Sequence, residues 1–149
     1  MINVRFAIPE DAKDIVEFQL KMARETENLA LNPDTVYKGV AAVFNDNSKG
    51  KYFVAEYHGE IVASMMLTPE WSDWRNSTFL WIQSVYVMPG FRRMGLFRRM
   101  YEFVKEMVEN SQEYAGLRLY VEVNNKDAQK VYNLLGMTGE HYRMFEWEK

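Results

Sequence analysis

The chain has no cysteine at all, which removes disulfides, thiolate metal sites and thiol nucleophiles in one step. It has only two histidines, His58 and His141, too few for a typical zinc site without cysteine, so no metal is expected. Neither sign of charge dominates, since the formal net charge is -3. Neutralising nucleic-acid phosphates takes a surplus of Lys and Arg, so no nucleic-acid partner is expected. Long apolar runs are missing as well. No stretch approaches the roughly 20 apolar residues that span a bilayer. Arg5, Glu10, Asp11, Lys13 and Asp14 interrupt the region where a secretory signal would have its apolar core. The expectation is a cytoplasmic chain without a membrane partner.

What is present suits one globular core. The 149 residues are 48% hydrophobic and 15% aromatic, the size and composition of a single domain, taken here as 1–149. Ile2–Ile8 alternates and reads as a strand. Pro9 then opens a helix with Glu10 and Asp11 in its first turn, and Asn32-Pro33-Asp34 breaks it. A second helix is expected from Asp34 or Thr35 to Phe44. The period then changes to two. Tyr52–Tyr57 and Glu60–Leu67 read as strands joined at His58-Gly59, and Thr78–Val87 as the longest strand, stopped by Pro89-Gly90. Gly95–Asn110 follows at helical spacing, then a strand Leu117–Val123, a helix Lys126–Leu135 and a last strand or hairpin over Thr138–Trp147. Strands in series followed by strand–helix–strand–helix–strand predict an α/β (α+β) fold, a mixed sheet with helices on both faces.

The first chemically informative segment runs from Val85 to Arg99. A strand ends at Pro89, a turn follows, and a helix starts near Gly95. Backbone N–H groups at a helix start lack internal partners and the dipole there favours anions. Gly95 removes the Cβ that would keep a phosphate from the backbone, and four arginines with no acid lie between Phe91 and Arg99. Pyrophosphate suits this arrangement. The same residues also suit a solvated helix face with Gly95 as a turn residue. No Gly-Lys-Ser/Thr follows, so the segment is not a P-loop, and the three spaced glycines of a dinucleotide fingerprint are missing.

The segment resembles the signature of the GNAT superfamily of acyl-CoA N-acyltransferases, Gln/Arg-x-x-Gly-x-Gly/Ala opening a helix after a V-x-P-like strand end. Arg92 and Gly95 match it, with Arg93, Met94 and Leu96 between and beside them, and Phe97 stands where the family has Gly or Ala. The second signature, N-x-x-A-x-x-x-Y-x-x-x-G-F, is matched at Asn125, Ala128, Tyr132 and Gly136, with Met137 for Phe. By themselves Asn125 suits a helix cap, Gly136 a helix stop and Tyr132 a core residue with a wet hydroxyl. Phe53–Ala63 is similar to the family's second and third strands, so the resemblance covers about the whole chain. It implies a mostly antiparallel central sheet and acetyl-CoA as co-substrate. It also implies that backbone groups of Val85, Tyr86 and Val87 hold the pantetheine arm. The loop Arg92, Arg93, Met94, Gly95, Leu96, Phe97 and Arg98 would hold the pyrophosphate, Asn125 would contact the cofactor, and Tyr132 would protonate the departing thiolate.

The resemblance also exposes a gap. An alkylamine with a pKa near 10.4 is only a few parts in ten thousand neutral at pH 7, and many members supply a carboxylate base on the fourth strand. Gln83 occupies that position, and Tyr120 stands where members resembling ribosomal-protein alanine acetyltransferases place a Glu on the fifth strand. The remaining candidates are Glu122, which shares a strand face with Tyr120, Glu70, Asp73, Glu25 and Glu27, or a water held by Gln83 and Ser84. On the acceptor side, Glu10–Glu27 holds six acids against three bases, which favours a cationic amine by long-range attraction. Trp71, Trp74 and Trp81 offer flat walls, in a region somewhat similar to polyamine and thialysine acetyltransferases. They also suit a homodimer face.

The expected activity is direct acetyl transfer to the primary amine of a small molecule or peptide, in a ternary complex. The alternative is a CoA-binding or sensor domain with weak or no catalysis, motivated by Gln83. An RNA-binding module fits the net charge poorly.

Overall fold

Alternating sequence in the first half of the chain becomes four antiparallel strands, and the amphipathic segments become the helices that cover them. The computed structural model describes residues 1–149. In chain order the elements are β1 (Ile2–Phe6), α1 (Ala12–Glu27), α2 (Pro33–Asn45), β2 (Lys51–Tyr57), β3 (Glu60–Ser72), β4 (Ser77–Val87), α3 (Leu96–Glu109), β5 (Tyr114–Arg118) and α4 (Lys126–Leu134). Single 3₁₀ turns at Pro9–Asp11 and Pro89–Phe91 lead into α1 and towards α3. The sheet order is β1-β2-β3-β4-β5. The first three pairings are antiparallel and β4–β5 is parallel, because α3 carries the chain back across the sheet. Met1–Arg118 and Leu119–Lys149 are separate compact units.

Alternation along β2 sorts the two faces. Tyr52 and Val54 join Ile15, Phe18, Val40 and Val43 of α1 and α2 in one buried cluster. Phe53, between them, points the other way, its ring 6.0 Å from Phe103 of α3, which also lies 5.9 Å from Phe6. Helices therefore cover both faces of the sheet, as the pattern predicts, and the sheet is mostly antiparallel, as the resemblance implies. Each fully buried large side chain here, such as Phe53, Ile15 and Met100, stabilises the fold by about 2 kcal/mol. The β2–β3 turn is tight because His58 (φ 48°) and Gly59 (φ 80°) both take left-handed backbone. Asn32 starts α2 but does not break α1, which already stops at Glu27 with Asn28 left-handed at φ 52°: the Asn32 side chain accepts from the Asp34 and Thr35 N–H groups at 2.9 and 3.2 Å, with Pro33 in the first turn.

Three expectations move. β3 runs on to Ser72 and β4 starts at Ser77, so Trp71 lies on a strand and not in a connection. The parallel strand is Tyr114–Arg118 and not Leu117–Val123. Gly116 sits within the strand, where a Cβ would stand 3.2 Å from the Phe79 ring. In the unit Leu119–Lys149 the regular element is α4, and residues 138–149 form neither helix nor strand. Alternation alone does not make a strand, which needs a neighbouring edge, and this stretch begins with bends at Glu140 and His141.

Arg5 clips β1, β2 and the entry to α1 together. Its guanidinium donates to both Asp11 carboxylate oxygens at 2.8 and 3.1 Å and to Glu56 at 2.9 and 3.1 Å, and Asp11 also accepts the Ile8 N–H at 2.8 Å. Burial pushes the Asp11 carboxyl up, but the bonds from Arg5 and Ile8 outweigh it and hold it below its ordinary range. Asp11→Ala leaves Arg5 short of one partner and should cost about 2 kcal/mol, read as a melting-temperature loss of several degrees. Because the folded carboxyl titrates low, its contribution is complete above the unfolded carboxyl's pKa and fades as the pH falls. The gap between wild type and Asp11→Ala should therefore be full at pH 7 and close below about pH 4. An equal gap at both pH values would show that the carboxylate's charge is not what stabilises.

Candidate active site

β4 is an irregular strand. Ser64 pairs with Tyr86 and Met66 with Gln83, so two steps along β3 face three along β4. The extra residue is taken up at Ser84, whose φ of 53° lies in the left-handed region that non-glycine residues rarely enter. β5 pairs with β4 from Thr78 to Trp81, whereas β3 stays with it to Val87. Beyond Trp81 no β5 residue pairs with β4, and the segment holding Val85, Tyr86 and Val87 lies past that point.

The chain leaves β4 through Met88 and Pro89 and enters α3 by a second left-handed passage, with Arg93 at φ 63° and Gly95 at φ 76°. The first bond within α3 runs from the Arg99 N–H to the Gly95 carbonyl at 3.0 Å, and no side chain caps the helix. The N–H groups of Leu96, Phe97 and Arg98 thus head α3 as a cluster of donors. No heavy atom lies within 4 Å of where a Cβ on Gly95 would stand. An anion can reach this backbone. Leu96 is buried beneath the turn. Phe97 is half-buried and stacks on Tyr101 at 6.4 Å, which turns its bulk along the helix. Arg93, Met94 and Arg98 are exposed, with Arg98 paired to Glu102 at 3.0 Å.

Arg92 behaves differently. Its Nε donates to the Val87 carbonyl at 2.8 Å and its second terminal nitrogen to Glu25 at 2.8 Å, with the guanidinium 5.4 Å from the Tyr86 ring centre. The Tyr86 hydroxyl donates to the same carboxylate at 3.1 Å. Arg92 therefore ties the end of β4 to α1. The bond from Arg92, aided by that from Tyr86, holds the Glu25 carboxyl below its usual range, while burial and then Glu25 push the Tyr86 hydroxyl up.

Glu25 stands on a groove of about 510 Å³ lined by α1, the segment after it, Tyr86 and Pro89. Leu29 and Leu31, half exposed in that segment, are the sequence's hint of it: apolar side chains in an otherwise polar connection. None of Trp71, Trp74 and Trp81 lines the groove. Trp71 and Trp74 are exposed on the β3–β4 hairpin, and Trp81 donates through Nε1 to Glu70 at 3.0 Å.

The other base candidates scatter. Glu70 also pairs with Arg118 at 2.6 Å, and the bonds from Trp81 and Arg118 hold it below its usual range. Asp73 and Glu27 are exposed. Gln83 is half-buried and donates through Nε2 to Thr68 Oγ1. Glu122 is exposed and lies past β5 in a turn, so its placement on a strand face with Tyr120 does not hold.

In the unit Leu119–Lys149, Asn125 caps α4, accepting the Ala128 N–H through Oδ1 at 3.1 Å. Gly136 at φ 90° ends the helix, and the next N–H, that of Met137, reaches the Tyr132 carbonyl at 3.0 Å. Tyr132 is half-buried, and burial pushes its hydroxyl above the ordinary phenol value. It holds its proton at neutral pH and can donate it.

A family model described as acetyltransferase (GNAT) family matches residues 14–137, running through the boundary between the two units. Among solved structures, the chain is similar to a possible acetyltransferase from Clostridium difficile 630, at 42% identity and a TM-score of 0.93, covering 100% of this chain and 98% of that one. It shares its fold with a ribosomal-protein-alanine N-acetyltransferase from Brucella melitensis biovar Abortus 2308 (11% identity, TM-score 0.80, 100% of each chain). A glucosamine-6-phosphate N-acetyltransferase from Arabidopsis thaliana has the fold too (19% identity, TM-score 0.74, 100% of this chain and 99% of that one). No curated protein matches. No helix of the structure is long and apolar enough to cross a membrane. With its two signatures, its bulged β4 and a family match over most of its length, the chain belongs to the GNAT family of acetyltransferases.

Proposed function

We propose that this protein moves the acetyl group of acetyl-CoA directly onto a primary amine, of a small molecule or a peptide, while both substrates are bound. The observation that carries the reading is the run from Ser84 to Arg98: a bulged strand end that loses its β5 partner, then an uncapped helix start with open space over Gly95. Val85, Tyr86 and Val87 offer main-chain groups to the amides of the pantetheine arm. The N–H groups of Leu96, Phe97 and Arg98, with Arg93 beside them, take the pyrophosphate.

In the chemical step the neutral amine adds to the thioester carbonyl, a C–N bond forms, the C–S bond breaks, and the amine's extra proton leaves to solvent. Tyr132 supplies a proton to the departing thiolate. Glu25, held ionised by Arg92 and Tyr86, is a weak proton acceptor, and Gln83 is an amide. The amine therefore reaches the thioester already deprotonated or loses its proton to water near Gln83 and Ser84. Gln83's engagement with Thr68 is also what favours the second reading, a CoA-binding domain of the same fold with little turnover.

CoA or acetyl-CoA should raise the melting temperature by mass action. Gly95→Val should weaken CoA binding by tenfold or more, since the side chain fills the space over the helix start and strains a left-handed residue. Gly95→Asn tolerates that backbone and isolates the steric part. Unchanged CoA affinity in both folded variants, measured by calorimetry, would place the phosphates elsewhere.

Tyr132→Phe keeps the ring and removes the proton. General acid assistance is worth ~100- to 10,000-fold, so kcat for an accepted amine should fall by that order with little change in acetyl-CoA affinity. Wild-type turnover in the variant would leave Tyr132 as a packing residue.

With no carboxylate base near neutrality on β4, kcat/KM should climb tenfold per pH unit from pH 6 towards the amine's own pKa. A plateau starting near pH 7, measured with an alkylamine of pKa near 10, would show that an enzyme group takes the proton.

A further inference from the structure

The six acids of Glu10–Glu27 look like a lure for polycations, but three of them are already paired with neighbours. Asp11 is clipped to Arg5, Glu17 to Lys21 at 2.6 Å, and Glu25 to Arg92 at 2.8 Å. Of the charged groups lining the groove, Lys21 and Glu25 thus arrive with opposite partners, while Arg24 is exposed and makes no ion pair. The remaining lining is mostly carbon, from Leu20, Leu29, Leu31, Pro33 and Pro89. A second ammonium would find no free carboxylate here and would lose hydration against carbon.

We propose that the acceptor is an amino acid with an apolar side chain, whose carboxylate pairs with Arg24 while its side chain lies on the leucine and proline surface. This rests on the reading of the chain as an acetyl-CoA-dependent N-acetyltransferase with this groove as its acceptor site. Three features of the groove converge on that chemistry. Its volume of about 510 Å³ lies in the range of small-molecule sites. Arg24 presents a fork of donors that matches a carboxylate two-to-two. The amine end then lies towards Tyr86, on the strand segment that follows the Ser84 bulge. A peptide N-terminus lacks the carboxylate and forfeits the Arg24 pair.

The test is CoA-thiol release from acetyl-CoA by the full chain with matched acceptors: leucine, methionine and phenylalanine, their carboxamides, and spermidine. The free amino acids should exceed their amides in kcat/KM by about tenfold or more, compared at equal neutral-amine concentration, and spermidine should be the poorest. Arg24→Gln should raise KM for the amino acids about tenfold while leaving the amides and the acetyl-CoA affinity unchanged, which also shows that the variant is folded. Amides or spermidine equal to the acids, or an Arg24→Gln enzyme with unchanged KM for them, overturns the proposal and leaves acetyl transfer standing. Acetyl-CoA binding with no turnover of any amino acid, and no amino-acid binding to the CoA-loaded protein by calorimetry, overturns it equally. Failure to bind acetyl-CoA at all is the distinct outcome that removes the activity on which it rests.

Discussion

The site depends on β4 being a strand with two different neighbours along its length. Up to Trp81 it is held by β3 on one side and β5 on the other; from Ile82 to Val87 it is paired with β3 and no longer with β5. A regular strand would keep its register to the end and present its groups evenly. The extra residue at Ser84 breaks that register, at the cost of a left-handed serine, about 1–2 kcal/mol of local strain. Strain of that size persists only where the surroundings impose it. Here the β3 pairings at Ser64–Tyr86 and Ala63–Val87 on one side and Met66–Gln83 on the other pin both ends of the bulge.

The same device recurs nine to eleven residues later. Arg93 and Gly95 are again left-handed, and between the two irregularities the chain turns from sheet into helix. Arg92 sits between them and faces back, to the Val87 carbonyl and to Glu25. That ion pair is exposed at both ends, so its contribution to stability is small. Its effect is on the charge of the groove and on the position of the β4 end relative to α1. One guanidinium thereby links the loop proposed to hold phosphate to the wall proposed to hold the acceptor.

Much of this was legible in residues. The hairpin at His58-Gly59, the start of α3 at Gly95 and the cap at Asn125 follow from local chemistry that no distant contact overrides. The helices on both faces follow from periodicity. What the sequence hid was register. Nothing in Ile82-Gln83-Ser84-Val85 marks a bulge, because a serine in left-handed backbone is chosen by its neighbours on β3 and not by its own preference. The start of β5 was hidden as well: Gly116 lies within the strand, where its missing side chain makes room for the Phe79 ring, a tertiary demand that the sequence does not display. The groove was hidden too, since Tyr86 and Leu31 are far apart in the chain and only the fold brings them to one wall.

Charge was the least legible quantity of all. Counting acids in α1 predicts a negative surface that attracts cations, and the count is correct as composition. Selectivity, however, follows from the charges left without partners at the place where substrate sits, because a paired charge a few ångströms away contributes a dipole whose field falls off faster than that of a lone ion. Two of the partners, Arg5 and Arg92, come from β1 and from the loop after β4, 6 and 67 residues away from the acids they neutralise. The i,i+4 pairing of Lys21 with Glu17 could be read from spacing alone; the long-range pair could not. Once Arg92 is assigned to Glu25 and Glu17 to Lys21, the lining charge left without an ion pair is that of Arg24, and the chemistry that complements it is an anion-bearing amine and not a polycation.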